Sequence, residues 1–248
     1  MSYPGNGSRR PRGYFQLSRT LTYSAVMVAP LLVLYEVGVL VINGGSPMGL
    51  RNAADVALKE PFLLLGPFGR HLLVALLVVG IAAIYRYEAV PRGIRIIKPY
   101  LPLMFVESLF YAAGLGAVIN MILRPLLQSP LLAPGIGSLD RTSQIVLSLG
   151  AGLYEELVFR VILVSGIFLL LRRSSRKHPE QAYIAAAVLG AAIFSGYHYI
   201  GPMSDPFQIH SFLYRFVAGL LFSAIYLARG FGIVVYTHAL YDVIVTLS

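Results

Sequence analysis

Seven consecutive residues, Tyr154-Glu155-Glu156-Leu157-Val158-Phe159-Arg160, put two carboxylates and a guanidinium inside an apolar run. That run, from Ser143 to Leu171, otherwise carries no charge. In hydrocarbon each such charge costs roughly 2.5–3.5 kcal/mol on insertion scales, so a chain keeps it where it pairs, lines a wet cavity or does chemistry. Glu156 and Arg160 are i and i+4, on one helix face and close enough to pair. Glu155 lies about 100° around the helix from Glu156 and addresses a different neighbour. One carboxylate is thus held while the other is free for work.

Two more polar groups stand in apolar surroundings further along. Phe194-Ser195-Gly196-Tyr197-His198 ends one apolar run, with an aromatic ring one turn before the imidazole. His238-Ala239-Leu240-Tyr241-Asp242 lies in the last, where the His and Asp are again i and i+4, so the carboxylate can accept from the imidazole and fix its tautomer. Glu, His, His and Asp from three helices, with an arginine, suit the activation of water. Glu155 would be the general base, and a histidine would polarise a carbonyl or stabilise an oxyanion. Each residue also has a structural reading: an ion pair for Glu156–Arg160, a helix–helix hydrogen bond for Glu155, packing for the histidines. Phe194 and Tyr197 are expected to line a cavity or pack.

The rest of the chain must position these groups within a membrane. Of 248 residues, 57% are hydrophobic and 12% charged, with a mean hydropathy of +0.72. A soluble domain carries about 25% charged residues. The net charge of +9 raises the question of a nucleic-acid partner, but the basic residues fall in short clusters between apolar spans, as membrane topology requires, and no nucleic acid is expected. The absence of cysteine excludes disulfides and thiolate metal sites. No secretory signal peptide is evident, so the first apolar run reads as a retained span.

Seven spans are expected, about Ser24–Ile42, His71–Tyr85, Pro102–Leu127, Ser143–Leu171, Gln181–Ile200, Ser211–Ala228 and Phe231–Leu247. A flexible basic arm (Arg9, Arg10, Arg12, Arg19) precedes them. Between the first two spans lies a polar loop with Gly44-Gly45, Arg51, Asp55, Lys59, Glu60 and Arg70. A turn-rich segment over Gln128–Thr142 and a basic loop (Arg172, Arg173, Arg176, Lys177) follow later. Placing the N-terminus in the cytoplasm puts thirteen Lys/Arg inside against four outside, which obeys the positive-inside rule. The fold class is therefore all-α, a polytopic transmembrane helical bundle of about seven spans. Sixteen tyrosines and no tryptophan assign the interfacial belt to tyrosine. Glu36, Glu107 and Arg215 are also intramembrane, and a pairing of Glu107 with Arg215 would be structural. His71, His178 and His210 read as interfacial or loop residues.

The three motifs, Glu155-Glu156-x-x-x-Arg160, Phe194-x-x-x-His198 and His238-x-x-x-Asp242, resemble those of the CPBP family in order and placement. These are the CAAX prenyl protease and bacteriocin-processing (Abi) intramembrane endopeptidases. The resemblance covers roughly residues 143–247. It implies a protease core in spans four to seven (143–248), preceded by three helices and their loops (21–142) and the basic arm (1–20). It further implies that Glu155 activates water, that Glu156 and Arg160 support it, and that His198 and His238 bind water or stabilise the oxyanion. Asp242 takes the fourth polar position, where many members have Asn, so this chain departs from the family there.

Members are described both as metal-dependent and as metal-free glutamate peptidases. The residues leave both open: two His and one or two carboxylates (Glu155, His198, His238, Asp242) suit zinc with an open position, yet there is no HExxH. The favoured expectation requires no cofactor. The expected partners are the lipid bilayer and a membrane-associated protein or peptide substrate. The expected location is a bacterial-type plasma (inner) membrane with a cytoplasmic N-terminus; the side to which the site opens is left open, and an outward opening would imply exported or membrane-anchored substrates. Ser165-Gly166 and Ser195-Gly196 lack the preceding glycine of a rhomboid-like GxSG, and no GxGD accompanies Tyr241-Asp242. Two other classes remain: a non-catalytic scaffold or immunity factor of the same family, and a proton-coupled transporter, whose usual paired broken helices are not found.

Overall fold

The computed structural model describes residues 13–46, 49–66, 68–127, 139–174, 178–201 and 204–247. Arg9, Arg10 and Arg12 of the basic arm, the turn-rich stretch 128–138, and Arg176 and Lys177 lie outside the described residues. Those described form helices and their connections, with no strand among them.

A short helix α1 (Tyr14–Leu17) leads into α2 (Leu21–Ile42). The interval read as a polar loop contains a helix, α3 (Ala53–Leu63). Helix α4 (Gly69–Ile84) continues through a wide π turn (Tyr85–Ala89) to Arg92, and α5 spans Tyr100–Leu127. The charged run lies in one long helix, α6, over 141–174. Then come α7 (Pro179–Tyr197), α8 (Ile209–Arg229) and α9 (Phe231–Leu247). Four helical stretches, Leu21–Ile42, His71–Arg92, Tyr100–Leu123 and Ile209–Arg229, are each long and apolar enough to cross a membrane, and α9 is a shorter apolar helix. Large apolar side chains such as Val37, Val79, Phe110 and Leu189 stand exposed on the outside, as lipid-facing residues do. The chain is an integral membrane protein.

Helix α9 is the post of the bundle, with Ile233, Val234 and Val235 fully buried. On one side it packs with Leu31, Tyr35 and Val39 of α2 and Leu153 and Tyr154 of α6; on the other, with Ile119 of α5 and Phe222 of α8. Gly152 lets α6 cross it closely, since a Cβ there would fall 2.6 Å from the Val235 carbonyl oxygen.

The two ends of the bundle are built differently. At the end holding α1, Glu107 of α5 accepts from Arg229 at the last turn of α8 (Nε, 2.5 Å; Nη2, 2.9 Å) and from the Tyr14 hydroxyl. This corrects the expected pairing of Glu107 with Arg215. Helices α5 and α8 run in opposite directions, so the start of one meets the end of the other, whereas Arg215, near the start of α8, lies at the far end and pairs with Asp205. At that far end, Asp140 caps α6 by accepting from the Ser143 backbone N–H (3.0 Å) and hydroxyl (2.6 Å). These bonds hold the Asp140 carboxyl below the usual aspartate range.

Candidate active site

Helix α6 departs from regular α-geometry where the charges are. Wide π turns over Ala151–Glu155 and Leu157–Val164 bracket Glu156. Such turns are rare and recur at functional sites. Both carboxylates consequently reach toward α9, while Arg160 turns toward α7 and α8.

Glu156 and Arg160 are almost completely enclosed, at 0% and 1% exposure. Arg160 Nε lies 3.1 Å from Glu156 Oε2, Nη2 donates to the Gly219 carbonyl at 3.3 Å, and the guanidinium sits between the rings of Phe194 (4.6 Å) and Phe222 (5.3 Å). The other oxygen of Glu156 takes the Nδ1–H of His238 at 2.7 Å. The imidazole is therefore oriented by Glu156. Asp242, expected to orient that ring, has its Oδ2 at 3.5 Å from Nε2, beyond an ordinary hydrogen bond. The correction has a geometric cause: Nδ1 faces α6, and only Nε2 faces the end of its own helix. Phe222 stacks on the same ring at 4.4 Å.

Glu155 is held on one side only. Its Oε1 accepts from the Asn52 side-chain amide at 2.9 Å, and its Oε2 lies 4.0 Å from His238 Nε2. So the two acids do reach different partners, as their spacing suggests, yet the widened helix also turns both toward His238. His198 stands at the end of α7, with its Nδ1 bonded to the Phe194 carbonyl at 2.9 Å and its ring edge-on to Phe194. Nε2 is then the nitrogen left for other work. Phe194 is 6.2 Å from the His238 ring as well, so the aromatic residue holds both imidazoles and the guanidinium in place. Tyr197 ties the site to α3 by donating to the Ala53 carbonyl at 3.1 Å.

All six expected residues, Glu155, Glu156, Arg160, His198, His238 and Asp242, thus lie in one neighbourhood around the α6 π turns. Asn52 and Phe222 join them and were not expected. Asn52 follows the signature of a helix start, a cap residue before Ala53-Ala54, but nothing in its spacing links it to Glu155. The chain after α2 turns back so that Asn52 lies beside Tyr35, roughly 10 Å before the end of α2 at 1.5 Å per residue.

Beside the site lies a second charge cluster. Glu36 pairs with Arg51 (2.7 Å) and Lys59 (2.9 Å), and Asp55 pairs with the same two cations (2.5 and 2.7 Å). The Tyr154 hydroxyl donates to Glu36 at 2.8 Å and the Tyr35 hydroxyl to Asp55 at 2.8 Å. Glu36 is thereby part of a closed ring that fixes α3 to α2 and to the residue preceding Glu155.

Among the described residues no three His, Asp or Glu side chains are grouped as metal ligands. Glu156 is taken by Arg160 and His238, while Glu155 Oε2 and Asp242 Oδ2 lie 4.0 and 3.5 Å from His238 Nε2, about the separation of two ligands on a tetrahedral zinc with bonds of about 2.0–2.2 Å.

Residues 140–244 match the model of the family described as type II CAAX prenyl endopeptidase Rce1-like. No curated protein and no solved structure matches the chain.

Proposed function

We propose that this chain, whose residues 140–244 match the family model of type II CAAX prenyl endopeptidases, hydrolyses a peptide bond in a membrane-associated protein, with Glu155 activating water. The observation that carries the reading is the division of labour between adjacent acids. Glu156 is committed to Arg160 and His238, whereas Glu155 has one oxygen bonded to Asn52 and the other turned toward His238 Nε2.

In the first step Glu155 takes a proton from water, and the oxygen of that water attacks the scissile carbonyl carbon. The negative charge that develops on the carbonyl oxygen is met by the Nε2–H of His238 as the imidazolium, while His198, whose Nδ1–H is given to the Phe194 carbonyl, accepts from the water at Nε2. Collapse of the tetrahedral intermediate breaks the C–N bond, and Glu155 returns its proton to the leaving amine. Glu156 and Arg160 keep the His238 ring in register, and Asp242 adds negative charge beside Nε2. No step of this reading requires a metal.

The site lies at the end of the bundle away from α1. With the N-terminus in the cytoplasm of a bacterial-type cell, it opens outward, and its substrates are exported or membrane-anchored proteins.

The test compares the termini of membrane and secreted proteins in cells carrying the wild-type chain or Glu155→Ala at equal levels. A set of cut termini present in the first and missing in the second is expected, and it names the substrate. Identical profiles, under conditions where deletion has a phenotype, would overturn the reading in favour of a non-catalytic role.

A further inference from the structure

The residue that touches Glu155 most closely outside the motifs comes from the N-terminal part of the chain, well before the matched segment. Asn52 is 8% exposed and every polar group of it is engaged. It stands at the N-cap of α3 with extended backbone (φ −62°, ψ 140°). Its Oδ1 accepts from the backbone N–H groups of Ala54 (2.9 Å) and Asp55 (3.4 Å), and its own N–H donates to the Tyr35 hydroxyl at 3.1 Å. Because Oδ1 is committed to the cap, the amide cannot flip without losing it, and Nδ2 must face Glu155 Oε1.

The approach is built in from several directions. Gly150 on α6 leaves room for both Tyr35 and Asn52, since a Cβ there would fall 2.3 Å from the Tyr35 ring and 2.9 Å from Asn52 Cβ. The ion pairs of Arg51, Asp55 and Lys59 with one another and with Glu36 fix the same turn of α3 from the other side. Tyr197, next to His198, binds the Ala53 carbonyl. A cap alone needs none of this.

We infer that Asn52 is a positioning residue for Glu155: its amide pins Oε1, so that Oε2, on the His238 side, is the oxygen that takes the proton from water. The inference rests on the peptidase reading. A general base must hold its accepting oxygen within hydrogen-bond reach of one particular water. A carboxylate fixed at neither oxygen rotates about its last bond and divides its time between two faces. Asn52 removes that freedom.

The cap and the positioning role separate experimentally. Ser is an N-cap as good as Asn, but its one hydroxyl takes the place of Oδ1 and nothing replaces Nδ2 beside Glu155. Full-length wild type, Asn52→Ser, Asn52→Ala and Glu155→Gln are compared in lipid nanodiscs. The probe is a peptide spanning a terminus lost on Glu155→Ala in cells, and kcat, KM and the thermal midpoint are read. The expected result is that the Ser variant keeps the wild-type midpoint and KM while kcat falls about 10- to 100-fold, the scale of one hydrogen bond to a charged group. Asn52→Ala should lose both kcat and midpoint. A folded Ser variant with wild-type kcat, beside an inactive Glu155→Gln, would overturn this inference alone. Cleavage that survives Glu155→Gln would overturn it together with the peptidase reading.

Discussion

Two buried charge clusters meet at the same turn of α6, one on either side of the Tyr154–Glu155 bond, and their wiring differs. In the cluster reached by Tyr154, two acids (Glu36, Asp55) face two bases (Arg51, Lys59), and each carboxylate contacts both cations and one phenol. Charge and hydrogen bonding close on themselves. In the cluster reached by Glu155, three carboxylates surround one imidazole, and the arginine that could balance them is spent on Glu156 and packed between two phenyl rings. Burying charge without a closed set of partners is costly, and a fold built for stability alone would not repeat that cost next to a ring that avoids it. The closed ring positions; the open cluster is left with atoms to spend on a substrate.

If that contrast is right, substitutions in the ring should act on stability, and substitutions at the open cluster on turnover. The largest stability effect is expected for Lys59→Met, which leaves Glu36 and Asp55 with a single cation between them. Breaking a buried pair costs about 3–5 kcal/mol. Thermal unfolding in detergent should register the loss, and kcat of the folded fraction should fall far less than for a change at Glu155. Tyr154→Phe removes one hydrogen bond to a carboxylate, worth about 1.5–3 kcal/mol, and should lower the midpoint by a smaller step.

Asp242→Asn tests the open side. With Oδ2 at 3.5 Å from His238 Nε2, Asp242 makes no short bond to the ring, so the amide should keep most of the wild-type kcat and leave the midpoint unchanged. A collapse of kcat would mean that the third carboxylate is part of the chemistry. The smallest effect is expected for Asp140→Ala at the cap of α6. Its carboxyl titrates below the unfolded value, so its stabilisation is present at neutral pH and is lost as pH falls through the folded value. The gap in midpoint between variant and wild type should therefore be present at pH 7 and narrow only as pH falls below about 3.9, the value of free aspartate.

Much of the site is legible in one dimension because its members sit on apolar helices, where a charged or imidazole side chain stands out against its surroundings. Glu155, Glu156, Arg160, His198, His238 and Asp242 all announce themselves this way, and their helices fall within a few residues of the expected spans. What stays hidden is whatever depends on which helices are neighbours. Asp242 is the nearest acid to His238 along the chain, yet Glu156, eighty-two residues away, orients the ring. Glu107 finds Arg229 because antiparallel helices bring a first turn to a last one. Helix α3 was obscured by its charges: Arg51, Asp55 and Lys59 give a loop-like composition, although their spacing of four is helical and they pair as i, i+4. Asn52 is one short polar residue in that interval, and only the folded chain carries it to Glu155.

The most direct measurement is the kcat of purified wild type and Glu155→Gln on the same peptide, with the thermal midpoint of each recorded in the same lipid. Gln keeps the shape of Glu and can still hydrogen-bond to Asn52, but it cannot accept a proton from water. The account predicts an unchanged midpoint and a kcat lower by about 10²–10⁴, the contribution of a positioned general base. A Glu155→Gln protein that cleaves at the wild-type rate would contradict it, because the open cluster would then have no base to offer.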